Sequence, residues 1–224
     1  MSNVAMKKDK DIAETGRPYA GESPGERVLR RRQQFLDAGL ELFGSIGYRA
    51  TTVRILCKQA KLTDRYFYES FTGTEDLLVE VYRNCMDEFQ RKLLLAIAGA
   101  QPAADMSALV KAGLNAFFEG VEDARMARVV WLEILGVSPR VDQIYNAGLY
   151  SFANLFLGLT RSVYPHWKIT DEEGQILAIA VIGAVSQSSM AWLLSDYKAS
   201  RATMVSATSH VFLGLAASIE RDAI

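Results

Sequence analysis

Apolar residues recur at helical spacing along nearly the whole chain, and nowhere do they alternate with polar ones over a strand's length. Ser23-Pro24-Gly25-Glu26 opens the first element: Ser as N-cap, Pro as first helical residue, Glu26 as the reciprocal capping partner. Phe35, Gly39, Leu42, Phe43 and Ile46 then mark one buried face, and Gly47 is the stop. Thr51 or Thr52 caps a short helix through Ala60 with Val53, Leu56 and Cys57 inward. Lys61-Leu62-Thr63 breaks it, and Thr63 caps a third short helix containing Tyr66, Phe67, Tyr68 and Phe71. Thr72-Gly73-Thr74-Glu75 starts a long helix to about Ile97. Further helices are predicted over 105–120, 122–135, 139–164, 170–195 and 201–220, with Thr170-Asp171-Glu172-Glu173 a second capping box. The expected fold class is all-α.

Three segments follow from this pattern: a polar, flexible tail over 1–22, a helix-turn-helix head over 23–73, and a larger helical body over 74–224. The chain has 224 residues, 50% of them hydrophobic, enough for a real core. Its formal net charge of −1 hides an asymmetry. Residues 1–73 carry 13 Lys+Arg against 9 Asp+Glu, and residues 74–224 carry 12 against 17. A basic front on an acidic body suggests two modules with different partners. Cys57 and Cys85 are too few for a disulfide framework or zinc cluster. The beginning of the chain lacks a signal-peptide pattern, so a cytoplasmic location is expected. No charge occurs between Glu173 and Asp196, but Ser186-Gln187-Ser188-Ser189 interrupts the run, which reads as a buried helix and not as a membrane span.

Two short helices across a three-residue break, braced by a longer one in front, have the layout of a helix-turn-helix. In such a unit the second helix enters the major groove and reads base edges with its N-terminal residues. Here that helix begins Thr63-Asp64-Arg65-Tyr66, and Arg65 has the bidentate donors that guanine accepts. Residues 26–73 hold nine basic against five acidic side chains, which suits phosphate attraction. A plain helical hairpin has the same pattern.

Phe35-Leu36-Asp37-Ala38-Gly39-Leu40-Glu41-Leu42-Phe43, then Gly47-Tyr48, Thr51-Thr52-Val53, Tyr68 and Phe71-x-x-x-Glu75-x-Leu77 together resemble the N-terminal domain of TetR-type transcriptional regulators. The resemblance spans about residues 28–80. It implies a homodimeric repressor that binds double-stranded operator DNA and carries a C-terminal effector-binding and dimerisation domain. By position it implies phosphate contacts from Thr52, Thr63, Tyr68 and Thr74, and base contacts from Arg65 and Tyr66; Arg49 is placed to reach backbone or minor groove. The pattern departs from the family at Lys61, Arg65, Ser70 and Thr74, where Gly, Gly, His and Lys are usual, so an unusual operator contact pattern is expected. A left-handed Lys61 costs on the order of 1 kcal/mol relative to Gly.

The body offers Phe117, Phe118, Trp131, Phe152, Phe156, Met190 and Trp192 as walls of an apolar effector cavity, with Glu133 and Gln187 as its polar pointers. Plain core packing is the competing reading for each. A lipophilic or aromatic effector is implied. Small residues at Ala180, Ala184, Ser188 and Ala191, and a stripe through Thr208, Val211 and Leu215, suit either a core within the chain or a dimer interface on the last two helices, and the resemblance implies the interface. His166 and His210 have no metal-ligand spacing, and no phosphate loop, HExxH or G-x-S-x-G occurs. An enzyme is not expected, nor is any cofactor, metal or membrane partner. A ligand-binding module without DNA affinity and an activator are the alternatives.

Overall fold

The computed structural model describes residues 23–100 and 105–222, so the tail expected over 1–22 lies outside the described residues. Those described form α1 (Pro24–Ser45), α2 (Val53–Ala60), α3 (Asp64–Tyr68), α4 (Thr74–Ala100), α5 (Met106–Val121), α6 (Ala124–Arg128), a π-helical turn (Val129–Glu133), α7 (Pro139–Val163), α8 (Asp171–Leu194) and α9 (Arg201–Asp222). Among the described residues there is no strand. Both capping boxes are formed. Ser23 Oγ accepts the Glu26 N–H at 3.2 Å while Glu26 accepts the Ser23 N–H at 2.6 Å, and Thr170 and Glu173 repeat the exchange.

Two elements differ from the sequence expectation. The third helix ends at Tyr68, so Phe71 lies beyond it, still buried against Phe35 and Phe67. The helix expected over 122–135 is broken: after Arg128 the ladder slips to an i→i+5 bond, Ile134 N–H to Val129 O at 3.2 Å.

In the head, α1 presents Phe35, Leu36, Ala38, Leu42 and Phe43 to a core shared with Leu56, Ala60, Phe67 and Phe71. Phe35 meets Phe67 edge to face, ring centroids 5.3 Å apart. Helix α4 continues from the head core (Leu77, Leu78, Val81) into the body core (Phe89). Its 27 residues make a rod about 40 Å long. Around its distal half pack α5 and α7, with α9 against α5 and α8 against α7.

Head and body also touch along a second line. A Cβ on Gly44 would stand 2.5 Å from Arg125 Cα, so α1 crosses α6 at backbone contact. Arg125 bonds Glu41 of α1 at 3.0 Å, and Arg32 of α1 bonds Glu80 of α4 at 3.0 Å. Arg140 of α7 clamps Glu75 and Asp76 at the start of α4, holding the Asp76 carboxyl below its usual range.

Helices α8 and α9 are each long and apolar enough to cross a membrane by length and composition alone, with mean hydropathies of 1.7 and 1.4. Helix α8 was expected to be buried; only 33% of its apolar window is covered within the chain, and 22% of that of α9. One stripe of α8, through Ile176, Ala180, Ala191 and Leu194, stands exposed.

Candidate DNA-reading head and effector cavity

The break between α2 and α3 is a left-handed residue, and that residue is Lys61, with φ 56° and ψ 39°. Its N–H returns to Cys57 and Lys58 carbonyls, and the Leu62 N–H bonds Cys57 O at 3.0 Å, closing the α2 C-terminus. The turn therefore keeps its shape without glycine. It sends α3 out with Phe67 fully buried beneath it and Thr63, Asp64, Arg65 and Tyr68 exposed. The Thr63 side chain makes no cap bond; Asp64 Oδ1 serves the Arg65 N–H at 2.9 Å instead.

Arg65 is the most outward of the proposed readers, its side chain 83% exposed. Its Nε donates to Glu69 Oε1 at 3.1 Å, so neither Nη is used in that bond. Tyr68 is 61% exposed, with its ring edge-to-face on Phe67. Tyr66 is placed differently from expectation. It is half-buried, and the Arg31 guanidinium lies 4.0 Å over its ring, so one face is taken by α1. Thr52 is an exposed N-cap whose oxygen accepts the Ile55 N–H at 3.4 Å. Thr74 is half-buried at the start of α4, beside two carboxylates already held by Arg140. Arg49 is exposed in the turn before α2. Arg54 and Lys58, one turn apart on the exposed side of α2, add cations that the sequence reading passed over. Their i, i+4 spacing opposite Leu56 and Ala60 was the available signal.

The body holds a partly open cavity of about 240 Å³ between α4, α5, α7, α8 and α9. Along α4 its wall is Tyr82, Met86, Phe89, Leu93 and Ile97, one helical face about 22 Å long. Phe117, Trp131, Phe152 and Phe156 line it, as expected from sequence, joined by Tyr145, Leu149 and Phe212. Polar atoms on the wall are largely engaged. Trp131 Nε1 donates to Ser186 Oγ at 2.9 Å, Tyr82 Oη to the Tyr145 carbonyl at 3.4 Å, and Tyr164 Oη to Glu220 at 3.0 Å. Burial pushes the Tyr82 phenol well above its ordinary range. Such a slot favours a long apolar group over a polar one.

Five expected wall residues lie elsewhere. Phe118 and Trp192 pack on each other at 5.7 Å, outside the cavity, and the Trp192 indole N–H closes on Ala199 O. Met190 packs on the core away from the cavity, and Gln187 is exposed on α8. Glu133 faces the head: its Oε2 accepts the Tyr48 N–H at 2.8 Å. The expected interface is also partly corrected. Ala180 and Ala191 are exposed, Ala184 and Ser188 half-buried and Val211 40% exposed, but Thr208 is buried and Leu215 lines the cavity. Helix α9 is apolar or small almost all round, so its periodicity did not reveal which stripe turns inward. Among the described residues, no cluster of three or more His, Cys, Asp or Glu could hold a metal ion.

Residues 35–81 match the family model described as "Bacterial regulatory proteins, tetR family". The chain is 25% identical over 168 residues to the Fatty acid metabolism regulator protein of Bacillus subtilis, covering 74% of this chain and 84% of that one. Its fold matches the fatty acid degradation regulator FadR from Bacillus halodurans with a TM-score of 0.70 at 21% identity, over 86% of this chain and 96% of that chain. It also matches FadR from Bacillus subtilis, solved in complex with stearoyl-CoA, with a TM-score of 0.68 at 20% identity, over 80% and 96%. The head thus matches the tetR family of bacterial regulatory proteins over residues 35–81, and the chain as a whole shares the fold of solved regulators similar to it.

Proposed function

We propose that this regulator is a homodimeric repressor that leaves its operator when a long-chain fatty-acyl group, carried as its coenzyme A thioester, occupies the axial cavity. The carrying observation is the cavity: a continuous apolar face on α4 about 22 Å long, with the Tyr82 and Tyr164 hydroxyls and the Trp131 indole already hydrogen-bonded within the protein. A wall of that kind gains most from burying a chain of methylenes, each worth about 0.8 kcal/mol. The Bacillus subtilis relative, a fatty acid metabolism regulator, supports the same class of effector.

In this reading the head over 23–73 binds duplex DNA through Thr52, Thr63, Arg65, Tyr68 and Thr74 with Arg49 flanking, and Tyr66 contributes only its free edge. The body over 74–224 binds effector and pairs with a second copy through the exposed sides of α8 and α9. Catalysis has no part in it, and the molecule works in the cytoplasm, where DNA and acyl thioesters meet.

Electrophoretic titration on the DNA upstream of the protein's own gene, at two salt concentrations, tests the proposal. Binding should weaken steeply with salt, and stearoyl-CoA, but not coenzyme A, should release the complex. Release by neither compound, with DNA binding intact, contradicts the acyl reading; absence of salt-sensitive binding contradicts the DNA reading.

A further inference from the structure

Five consecutive residues touch both halves of the molecule. Val130 and Trp131 line the cavity, and Trp131 is tied to α8 through Ser186 at 2.9 Å. Two residues on, Glu133 holds the head. Its Oε2 accepts the Tyr48 N–H at 2.8 Å, its Oε1 takes Arg128 Nη2 at 3.2 Å, and its side chain is only 16% exposed. Residues two apart on a helical turn point to nearly opposite sides. Trp131 and Glu133 are therefore two ends of one lever.

The head end of that lever is specific. Gly47 has φ +88°, and a Cβ there would stand 3.1 Å from the Glu133 carboxylate. Gly47 O in turn accepts the hydroxyl of buried Thr51 at 2.8 Å, and the next residue, Thr52, is the N-cap of α2. Glu133 thus grips the turn from which the helix-turn-helix departs, at Tyr48, six residues before Arg54.

The segment that holds both departs from regular α-helix. The π-helical turn carries one residue more than α-helix, recorded in the Ile134 N–H to Val129 O bond at 3.2 Å. Returning it to α-helical register exchanges one hydrogen bond and rotates the following residues about the axis.

We infer that Glu133 is the positioning residue that seats the reading head, and that the π-helical turn it shares with Trp131 carries cavity occupancy to that seat. This rests on the reading of the head as DNA-binding and of the cavity as the effector site, but not on the effector being an acyl group. By linkage, DNA bound at the head must then be felt at Trp131 without any effector present.

The test labels the full chain with 5-fluorotryptophan, giving three fluorine resonances for Trp131, Trp167 and Trp192, with Trp131 assigned from Trp131→Phe. Addition of a duplex from the protein's own upstream DNA should shift the Trp131 resonance in the wild type. In Glu133→Ala that shift should vanish while the protein still binds DNA, with affinity reduced on the order of tenfold for loss of a hydrogen bond to a charged group. Glu133→Gln, which keeps an acceptor for the Tyr48 N–H, should restore most of both. An unmoved Trp131 resonance in the wild type overturns the inference, and that arm needs no change at Glu133. An equal shift in Glu133→Ala also overturns it. With stearoyl-CoA as a second probe, no response at Trp131 beside an intact DNA response sinks the acyl assignment and leaves the coupling standing.

Discussion

Arg65 stands at the outer edge of the head with its Nε on Glu69, so the rest of the guanidinium fork points away from the protein. That arrangement suits bidentate reading of guanine. Arg65→Ala should cost about 1–3 kcal/mol of discrimination at one base pair and lower the salt slope by about one, measured by anisotropy against cognate and substituted duplexes. Uniform weakening on every duplex would reduce Arg65 to a phosphate contact. Lys61→Gly relieves a left-handed lysine and should stabilise the protein by about 1 kcal/mol in urea unfolding, with DNA affinity unchanged, since the turn already has the required shape. At this scale the sequence was informative where one side chain faces solvent from a short helix, as at Arg65 and Tyr68. It was misleading where a partner arrives from far away. Tyr66 lies under Arg31, 35 positions back, and Glu133 between Leu132 and Ile134 read as a polar group inside the cavity, although its partner is a backbone N–H 85 positions away.

Helix boundaries were legible because caps are local chemistry. Ser23 and Thr170 each need only a glutamate three residues on. The π-helical turn was not, since an extra residue in a helical run leaves no mark in composition or period. Close approach of α1 to α6 was hidden as well: Gly44 is one small residue among many until the backbone of Arg125 is placed against it. Gly44→Ala should force α1 off α6, destabilise the fold by about 1–3 kcal/mol in denaturant titration, and weaken operator binding by moving the head. A variant of wild-type stability would mean that α6 yields freely. The cavity permits a complementary test. Leu149→Trp fills space between α4 and α7 and should abolish stearoyl-CoA binding in calorimetry while DNA binding persists. Unchanged acyl affinity would place the ligand elsewhere.

For the molecule as a whole, the basic head and acidic body suggest two partners, and the proposed dimer would pair through the exposed apolar sides of α8 and α9. Ile176 and Leu194, 62% and 63% exposed, bracket the α8 stripe. Charging both, as Ile176→Arg with Leu194→Arg, should yield monomer by sedimentation and abolish tight operator binding, because a paired head reads two half-sites about 34 Å apart. A dimer surviving both changes would put the interface on another face. Acid should loosen the whole assembly at its joints. Arg125 and Arg140 hold Asp123 and Asp76 below the ordinary value of 3.8, so their contribution is present above that value and lost as pH falls through the lowered native values. Thermal unfolding should show stability flat above about pH 5 from these groups and declining below 3.8. Fold and head were readable because they rest on local periodicity; the cavity wall was readable only in part, through Phe117, Trp131, Phe152 and Phe156, and the seat of the head not at all, because both are made by helices that meet only after folding.

Coupling between the two sites is most directly measured as the calorimetric affinity for stearoyl-CoA of the free protein and of the same protein saturated with operator duplex. Mutual exclusion of acyl chain and DNA requires the duplex to weaken acyl binding by roughly 5–150-fold, the range of ordinary allosteric coupling. Equal affinity in the two states would mean that the cavity and the reading head do not communicate.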